Sequence, residues 1–239
     1  MKLSIVIPVY NEEKTLREIV NRVVSLRKDG LRLEIVLVDD CSADKSADIC
    51  RELAAEHEDV NFIRRERNGG KGAALRDGFL AAKGDAIGVQ DADMEYDPRD
   101  YLRMMELLET DKADVVFGSR YLPLDGRLAT RWWHSRVNGF LTAFSNSLSD
   151  LALTDMETCY KLFRADVLKL IAPKLRENRF GFEPEVVAHV AKMFRAGALR
   201  VCEIAIDYRP RQFKEGKNIG WKDGVKALWC IVKYNLFLK

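Results

Sequence analysis

The chain has 239 residues, with 39 Lys and Arg against 37 Asp and Glu, a formal net charge of +2. That length suits one domain with a sizeable core, and 47% hydrophobic with 32% charged residues excludes a disordered or fibrous chain. The near balance also excludes a generic nucleic-acid binder, although it is segregated: residues 195–239 carry +6 and residues 1–194 carry −4.

Leu3–Val9 reads as a buried strand, followed by a helix over Glu12–Leu26 with Ile19, Val20, Val23 and Val24 on one face. Between them lies Pro8-Val9-Tyr10-Asn11-Glu12-Glu13. A dinucleotide-binding unit would place glycines here, with pyrophosphate at the helix N-terminus. Glu12 and Glu13 would repel that phosphate, so a nucleotide at this loop would present its base; alternatively Asn11 is a plain N-cap. A second strand, Leu33–Val38, ends at Asp39-Asp40-Cys41-Ser42, where Asp40 or Ser42 could cap the helix over Ala47–Glu56. A strand near Val60–Ile63 leads to Asn68-Gly69-Gly70-Lys71-Gly72, which permits close backbone approach but lacks the P-loop pattern. A helix over Ala73–Ala82 and a strand at Ala86–Val89 follow. Strands apolar on both faces with helices between them predict an α/β fold, its mostly parallel sheet covered by helices on both sides. Ligands then bind beyond the carboxyl ends of the strands.

At one such end stands Gln90-Asp91-Ala92-Asp93-Met94-Glu95. On extended backbone, residues 91, 93 and 95 project to one side, and three carboxylates there would repel one another without a cation. Oxygen-only ligands suit Mg²⁺ or Mn²⁺, so Asp91, Asp93 and Glu95 are the candidate metal ligands. An EF-hand would need Gly where Tyr96 stands.

Asp100–Leu108 reads as a helix and Val115–Gly118 as a strand; beyond them come helices over Trp132–Leu148 and Val186–Phe194 and a strand over Leu199–Ile206. A polar loop from Asp207 to Gly220 precedes a helix over Trp221–Leu238. In that helix Lys222, Lys226 and Lys233 fall within about 40° of one another, apart from an apolar face of Val225, Leu228, Trp229, Val232 and Leu236. The pattern fits a basic interfacial helix or a helix packed on the core.

Cys41, Cys50, Cys159, Cys202 and Cys230 form no CxxC pair, which fits buried small residues in a reducing compartment. His57, His134 and His189 lack metal-site spacing, and no GxSxG occurs. The first apolar run is too short for a signal peptide, and no apolar stretch reaches the ~18 residues of a membrane span. These features predict a cytoplasmic protein, free or on the cytosolic face of a membrane.

Several motifs in order then resemble the GT-A nucleotide-sugar glycosyltransferases of family two, in the dolichol-phosphate mannose synthase-like branch. They are Ile7-Pro8-Val9-Tyr10-Asn11-Glu12, Val38-Asp39-Asp40-Cys41-Ser42, Gly70-Lys71-Gly72, Asp91-Ala92-Asp93, Gly118-Ser119-Arg120-Tyr121, Asp155 to Lys161, and Arg211 with Gly216-Lys217. The resemblance implies a catalytic domain over residues 1–220 and an appended helix over 221–239. It implies that Pro8, Tyr10, Glu12, Asp39, Lys71, Asp91 and Ala92 bind the donor, and that Asp91 and Asp93 hold the metal on its diphosphate. The family often has Gln in place of Glu95, and Thr158-Cys159 replaces its common serine-glycine. Arg120, Arg211 and Lys217 would face phosphates during catalysis, and Arg131 and Ser135 would meet the acceptor phosphate.

The reaction so implied is inverting transfer of a sugar from a nucleotide-sugar donor to a polyprenyl phosphate at a membrane surface. Such a phosphate monoester is largely a dianion at neutral pH and needs no general base. A saccharide hydroxyl would need one, for which Asp155 or Glu157 are the candidates. A non-catalytic nucleotide-sugar-binding protein is the third reading. The sequence leaves the nucleotide, the sugar and the oligomeric state open.

Overall fold

A computed structural model describes residues 1–123, 132–210 and 221–237, without the side chains of residues 132–134, 221 and 222. The elements are β1 (Lys2–Val9), α1 (Leu16–Ser25), β2 (Arg32–Asp39), α2 (Ser46–Glu56), β3 (Val60–Arg64), α3 (Lys71–Ala81) and β4 (Ala86–Val89). They continue with α4 (Asp100–Glu109), β5 (Val115–Ser119), α5 (Trp132–Ser149), β6 (Lys161–Arg164), α6 (Ala165–Ile171), α7 (Phe182–Arg195), β7 (Val201–Ala205) and α8 (Trp221–Phe237). The strands form one sheet in the order β3-β2-β1-β4-β6-β5-β7. Only β6 runs antiparallel to its neighbours; β1 to β4 pair in parallel, as do β5 and β7. The near-continuous burial of Leu3–Ile7 and Leu33–Val38 follows from helices covering both faces.

Two elements escaped the sequence pattern. Strand β6 has only Leu162 and Phe163 between Lys161 and Arg164, too short an apolar run to announce itself. It slots between β4 and β5 by pairing Ile87 with Phe163 and Val116 with Leu162, and α6 follows at once. Helix α1 also begins later than its periodicity implies, at Leu16. Asn11 is therefore not its N-cap: it sits at φ 55°, and its Oδ1 accepts from the Ala43 N–H at 2.9 Å. The freed stretch forms the open rim of the sheet.

The lysine stripe on α8 also needs correction. Lys226 and Lys233 turn towards the body of the protein, each with Nζ 3.1 Å from the Glu177 carboxylate. The physical reason is the single part-buried carboxylate of Glu177, in the segment before α7, against which α8 packs. Beside these half-exposed lysines α8 presents apolar side chains: Val225, Trp229, Leu236 and Phe237 are 55–69% exposed. Neighbouring α5 exposes Val137 and Phe140 and stacks Phe140 on Phe144 at 6.4 Å. Among the described residues, no helix is long and apolar enough to cross a membrane.

Candidate active site

The carboxyl ends of β1 and β2 are joined by polar contacts that fix the first rim. The Asp40 N–H donates to Val9 O, the Asn11 N–H to Ser42 Oγ at 3.0 Å and the Glu12 N–H to Ser46 Oγ at 2.8 Å. Pro8 is part-buried in β1, whereas Tyr10 stands 50% exposed above it. Glu12 accepts from Thr15 Oγ1 at 2.8 Å. Asp39 is fully buried, accepting from the Ser42 N–H and lying 3.6 Å from Arg64, so its carboxylate faces its own loop. Asp40 caps no helix either. It accepts from the Gly69 and Gly70 N–H groups at 2.9 and 2.6 Å and pairs with Arg65, pinning the glycine-rich loop.

That pinned loop delivers Lys71 as the first residue of α3, with Gly70 at φ 92°. Lys71 Nζ lies 2.7 Å from the Asp91 carboxylate and 4.0 Å from Glu183 Oε1. Burial alone would lower the Lys71 pKa, but the Asp91 charge, with Cys159 and Glu183 behind it, holds it well above its ordinary value. Lys71 is therefore a fixed cation beside Asp91 at working pH.

The acidic segment is a turn, not a strand. β4 stops at Val89, Met94 takes φ 64°, and the Glu95 N–H donates to Asp93 Oδ1 at 3.1 Å. The expectation that residues 91, 93 and 95 project together from extended backbone therefore fails. Glu95 is buried and accepts from the Tyr208 hydroxyl at 3.1 Å. Ala92 is buried beneath the turn. Among the described residues, no group of three His, Cys, Asp or Glu side chains is gathered as a ready-made metal cage. Asp91 and Asp93 remain as the oxygen donors. Two carboxylates suit a hard cation that completes its shell with water and diphosphate oxygens, so the donor set fits Mg²⁺ or Mn²⁺. Gln90, Tyr101 and Tyr160 brace the turn from below, through Tyr101 to Val89 O at 2.6 Å and Tyr160 to the Gln90 carboxamide.

Opposite the turn, Arg120 follows β5 with its guanidinium 5.3 Å above the Tyr208 ring. Asp155 is fully buried beneath it. It accepts from Arg120 Nε at 2.6 Å, Arg120 Nη2 at 2.8 Å, the Arg120 N–H at 3.1 Å and Asn138 Nδ2 at 2.8 Å. Burial alone would raise the Asp155 pKa, but the Arg120 charge and these hydrogen bonds hold it below the usual carboxylate value. An ionised carboxylate with four donors orients Arg120 and is poorly placed to take a proton. Ser135 lies one turn into α5 and is part-buried. Arg131, Arg211 and Lys217 lie outside the described residues.

Three residues complete the site that sequence reasoning did not assemble. Lys161 is 2% exposed and bonds Thr158 O and Glu183, which in turn faces Lys71. Asp91, Lys71, Glu183 and Lys161 thus form an alternating chain of charge. Glu157 adds a carboxyl with no ion pair among the described residues, its buried Oε1 making no hydrogen bond to them. Burial and then the Glu183 charge push its pKa up to about 7. The missed signal was Gly181-Phe182-Glu183-Pro184-Glu185, two glutamates around a proline at a helix start.

Comparison with known proteins finds relatives by sequence and by fold. The undecaprenyl-phosphate mannosyltransferase of Micrococcus luteus is 30% identical over 92% of this chain and 88% of its own length. The dolichyl-phosphate beta-glucosyltransferase ALG5D of Trichomonas vaginalis is 26% identical over 98% of the chain and 74% of its length. Several other relatives are longer, the chain spanning 34% to 62% of them. In fold, the chain is similar to glucosyl-3-phosphoglycerate synthase of Mycobacterium tuberculosis, crystallised with Mn²⁺, UDP and phosphoglyceric acid. The TM-score is 0.71 at 19% identity, over 100% of this chain and 80% of that one. The model of Glycosyl transferase family 2 matches residues 4–171, and with the seven-stranded GT-A sheet and its acidic turn, the chain belongs to that family of glycosyltransferases.

Proposed function

We propose that the chain transfers a sugar from a nucleotide-sugar donor to a polyprenyl phosphate, with inversion. The observation that carries the reading is the Asp91-Ala92-Asp93 turn after β4 with the cation Lys71 held on Asp91, together with a second cation, Arg120, held by Asp155 at the end of β5. Two of the relatives that match over most of this chain act, by their names, on undecaprenyl and dolichyl phosphates. Asp91 and Asp93 would hold the divalent cation, which when bound neutralises charge on the leaving diphosphate. Pro8, Tyr10 and Glu12 would line the nucleoside side. Arg120, held rigid by Asp155, supplies preorganised positive charge for phosphate oxygens. An acceptor phosphate oxygen attacks the anomeric carbon as its bond to the diphosphate breaks, and the bonding pair leaves with the nucleoside diphosphate. Because the dianion needs no proton removed, the engagement of Asp155 with four donors is no obstacle.

The exposed apolar stripes of α5 and α8 suit contact with the membrane surface that carries such an acceptor, from its cytosolic side. This contact would be hydrophobic, since Lys226 and Lys233 are paired inward.

A second reading rests on Glu157. A buried carboxyl near pH 7 is suited to remove a proton from a saccharide hydroxyl. One experiment separates the two: UDP- and GDP-linked sugars with Mn²⁺ or Mg²⁺, offered a short polyprenyl phosphate or a free saccharide, with product followed into the organic phase. Label in the organic phase, lost in chelator and retained in Glu157→Gln, is the expected result. Transfer to the saccharide alone, abolished by Glu157→Gln, would replace the first reading by the second, and full activity in chelator would remove the metal.

A further inference from the structure

The segment between α6 and α7, residues 175–181, lies between the glycine-rich loop and α8 and touches both. On the α8 side everything converges on Glu177. Lys226 Nζ is 3.1 Å from Oε2, Lys233 Nζ is 3.1 Å from Oε1, and the Tyr234 hydroxyl donates to Oε1 at 3.0 Å. Burial would raise this carboxyl, but those three groups hold it below its ordinary pKa, so it stays ionised. On the other side the segment meets the glycine-rich loop and α3. The Gly72 N–H donates to Asn178 O at 2.9 Å, and Arg76 bonds Leu175 O and Asn178 Oδ1 at 2.9 and 2.8 Å. The fit admits no side chain: a Cβ on Gly70 would lie 2.5 Å from Asn178 O, and one on Gly72 2.5 Å from Glu177 O. A Cβ on Gly181 would lie 2.6 Å from Cys230 Sγ and 2.8 Å from Glu177 Oε2. The buried Glu185 carboxylate accepts from the Arg176 and Glu177 N–H groups and anchors the segment to α7.

Lys71 stands between Gly70 and Gly72, so whatever places that backbone places the ammonium that sits on Asp91. We propose that Glu177 is a positioning residue for the donor site: by holding Lys226, Lys233 and Tyr234 of α8, it fixes the 175–181 segment against Gly70 and Gly72 and so sets Lys71 on Asp91. The proposal rests on the donor-site reading of Asp91 and Lys71 given above. It makes α8 a part of the nucleotide site although none of the α8 contacts above is to Lys71 or Asp91.

The test titrates the full chain with UDP, and separately GDP, in the presence of Mn²⁺, by calorimetry. Glu177→Ala and the pair Lys226→Met/Lys233→Met should each weaken binding about tenfold, the size of couplings carried through packed networks. The triple variant should be no weaker than either, and Glu177→Gln, which keeps the Tyr234 hydrogen bond, should recover part of the loss. Hydrogen exchange at the Gly72 amide should quicken in Glu177→Ala, while the interior of α7 stays protected. Unchanged affinity in Glu177→Ala, losses that add in the triple variant, or an unchanged Gly72 exchange rate would each overturn the proposal. If the native chain binds neither nucleotide with Mn²⁺, the donor-site reading itself fails, and Gly72 exchange still decides whether Glu177 holds the loop.

Discussion

The two sides of the site are built differently. Around the ends of β1 to β3 the loops are held chiefly by main-chain N–H groups, with Arg65 also on Asp40: Asn11 on Ser42, Glu12 on Ser46, and Gly69 and Gly70 on the Asp40 carboxylate. From Arg120 onward the structure is held by ion pairs, buried in Arg120 with Asp155 and Lys161 with Glu183, and half-exposed between the α8 lysines and Glu177. The first construction fixes a shape, which suits a flat base and ribose. The second fixes positive charge in a poorly solvated region, which suits phosphate. Shape fails when a side chain intrudes, whereas buried charge fails when its partner is lost.

The largest effect should therefore come from Asp155. Asp155→Ala removes the buried carboxylate that pairs with the Arg120 guanidinium, and breaking a buried pair by removing one partner costs about 3–5 kcal/mol. Urea unfolding should show that loss, and Asp155→Asn, which keeps part of the hydrogen bonding, a smaller one. A cost below about 1 kcal/mol would mean that the ion pair behaves like an exposed one and that the contrast between the two sides is wrong.

Next comes pH. Asp91, Glu183 and Asp155 each face a cation, in Lys71, Lys161 and Arg120, and among the described residues Glu157 has no such partner. Its pKa is raised by burial and the Glu183 charge from an ordinary 4.5 to about 7. The folded state therefore binds this proton more tightly than the unfolded state. The resulting stability is fully present below about pH 4.5 and is lost as pH rises through about 7, amounting to at most about 3 kcal/mol. Subtracting the stability profile of Glu157→Gln from that of the native chain should isolate this slope between pH 5 and 7. Parallel profiles would show that Glu157 carries no such proton.

The same contrast explains what the sequence disclosed. On the first side, runs such as Leu3–Val9 and Leu33–Val38 are long and apolar, so strands and loops could be placed within a residue or two. The carboxylates of Asp91 and Asp93 were visible too, because acidic residues at a buried strand end have no packing reason to be there. Yet periodicity is local, and it could not show that the backbone turns at Met94 and separates Glu95 from the pair. The charge network was less legible still. Lys161 and Glu183 are 22 positions apart, and Glu177 and Lys233 are 56 apart. Such partners are chosen by the tertiary fold, and a lysine on a helical stripe looks the same in sequence whether it meets water, lipid or a buried glutamate.

A smaller loss should follow from intrusion on the first side. Gly72→Ala places a methyl group 2.5 Å from Glu177 O and 2.8 Å from Phe182 Cδ2, where backbone cannot yield as a side chain can. Overpacking of this kind costs about 1–3 kcal/mol. Chemical denaturation should report it, with little dependence on pH, unlike the loss at Asp155 or Glu157. A pH-dependent cost would mean that the methyl group acts by displacing the ionised groups around the loop and not by crowding its backbone.

The smallest effect on stability should be at the outer face of α8. Trp229 and Leu236 are 61% and 60% exposed, so Trp229→Ser with Leu236→Ser should change folding free energy by about 0.5 kcal/mol or less. The same pair should greatly reduce co-sedimentation with phosphatidylcholine vesicles, because apolar area is what that face offers a lipid surface. Added salt should matter little, since Lys226 and Lys233 point to Glu177 and leave the apolar stripe to make the contact. Binding that required anionic lipid and vanished in salt would instead place the contact on the basic residues outside the described segments. Unchanged binding in the variant would move it off α8 altogether, towards Val137 and Phe140 on α5, whose own substitution would then have to abolish it.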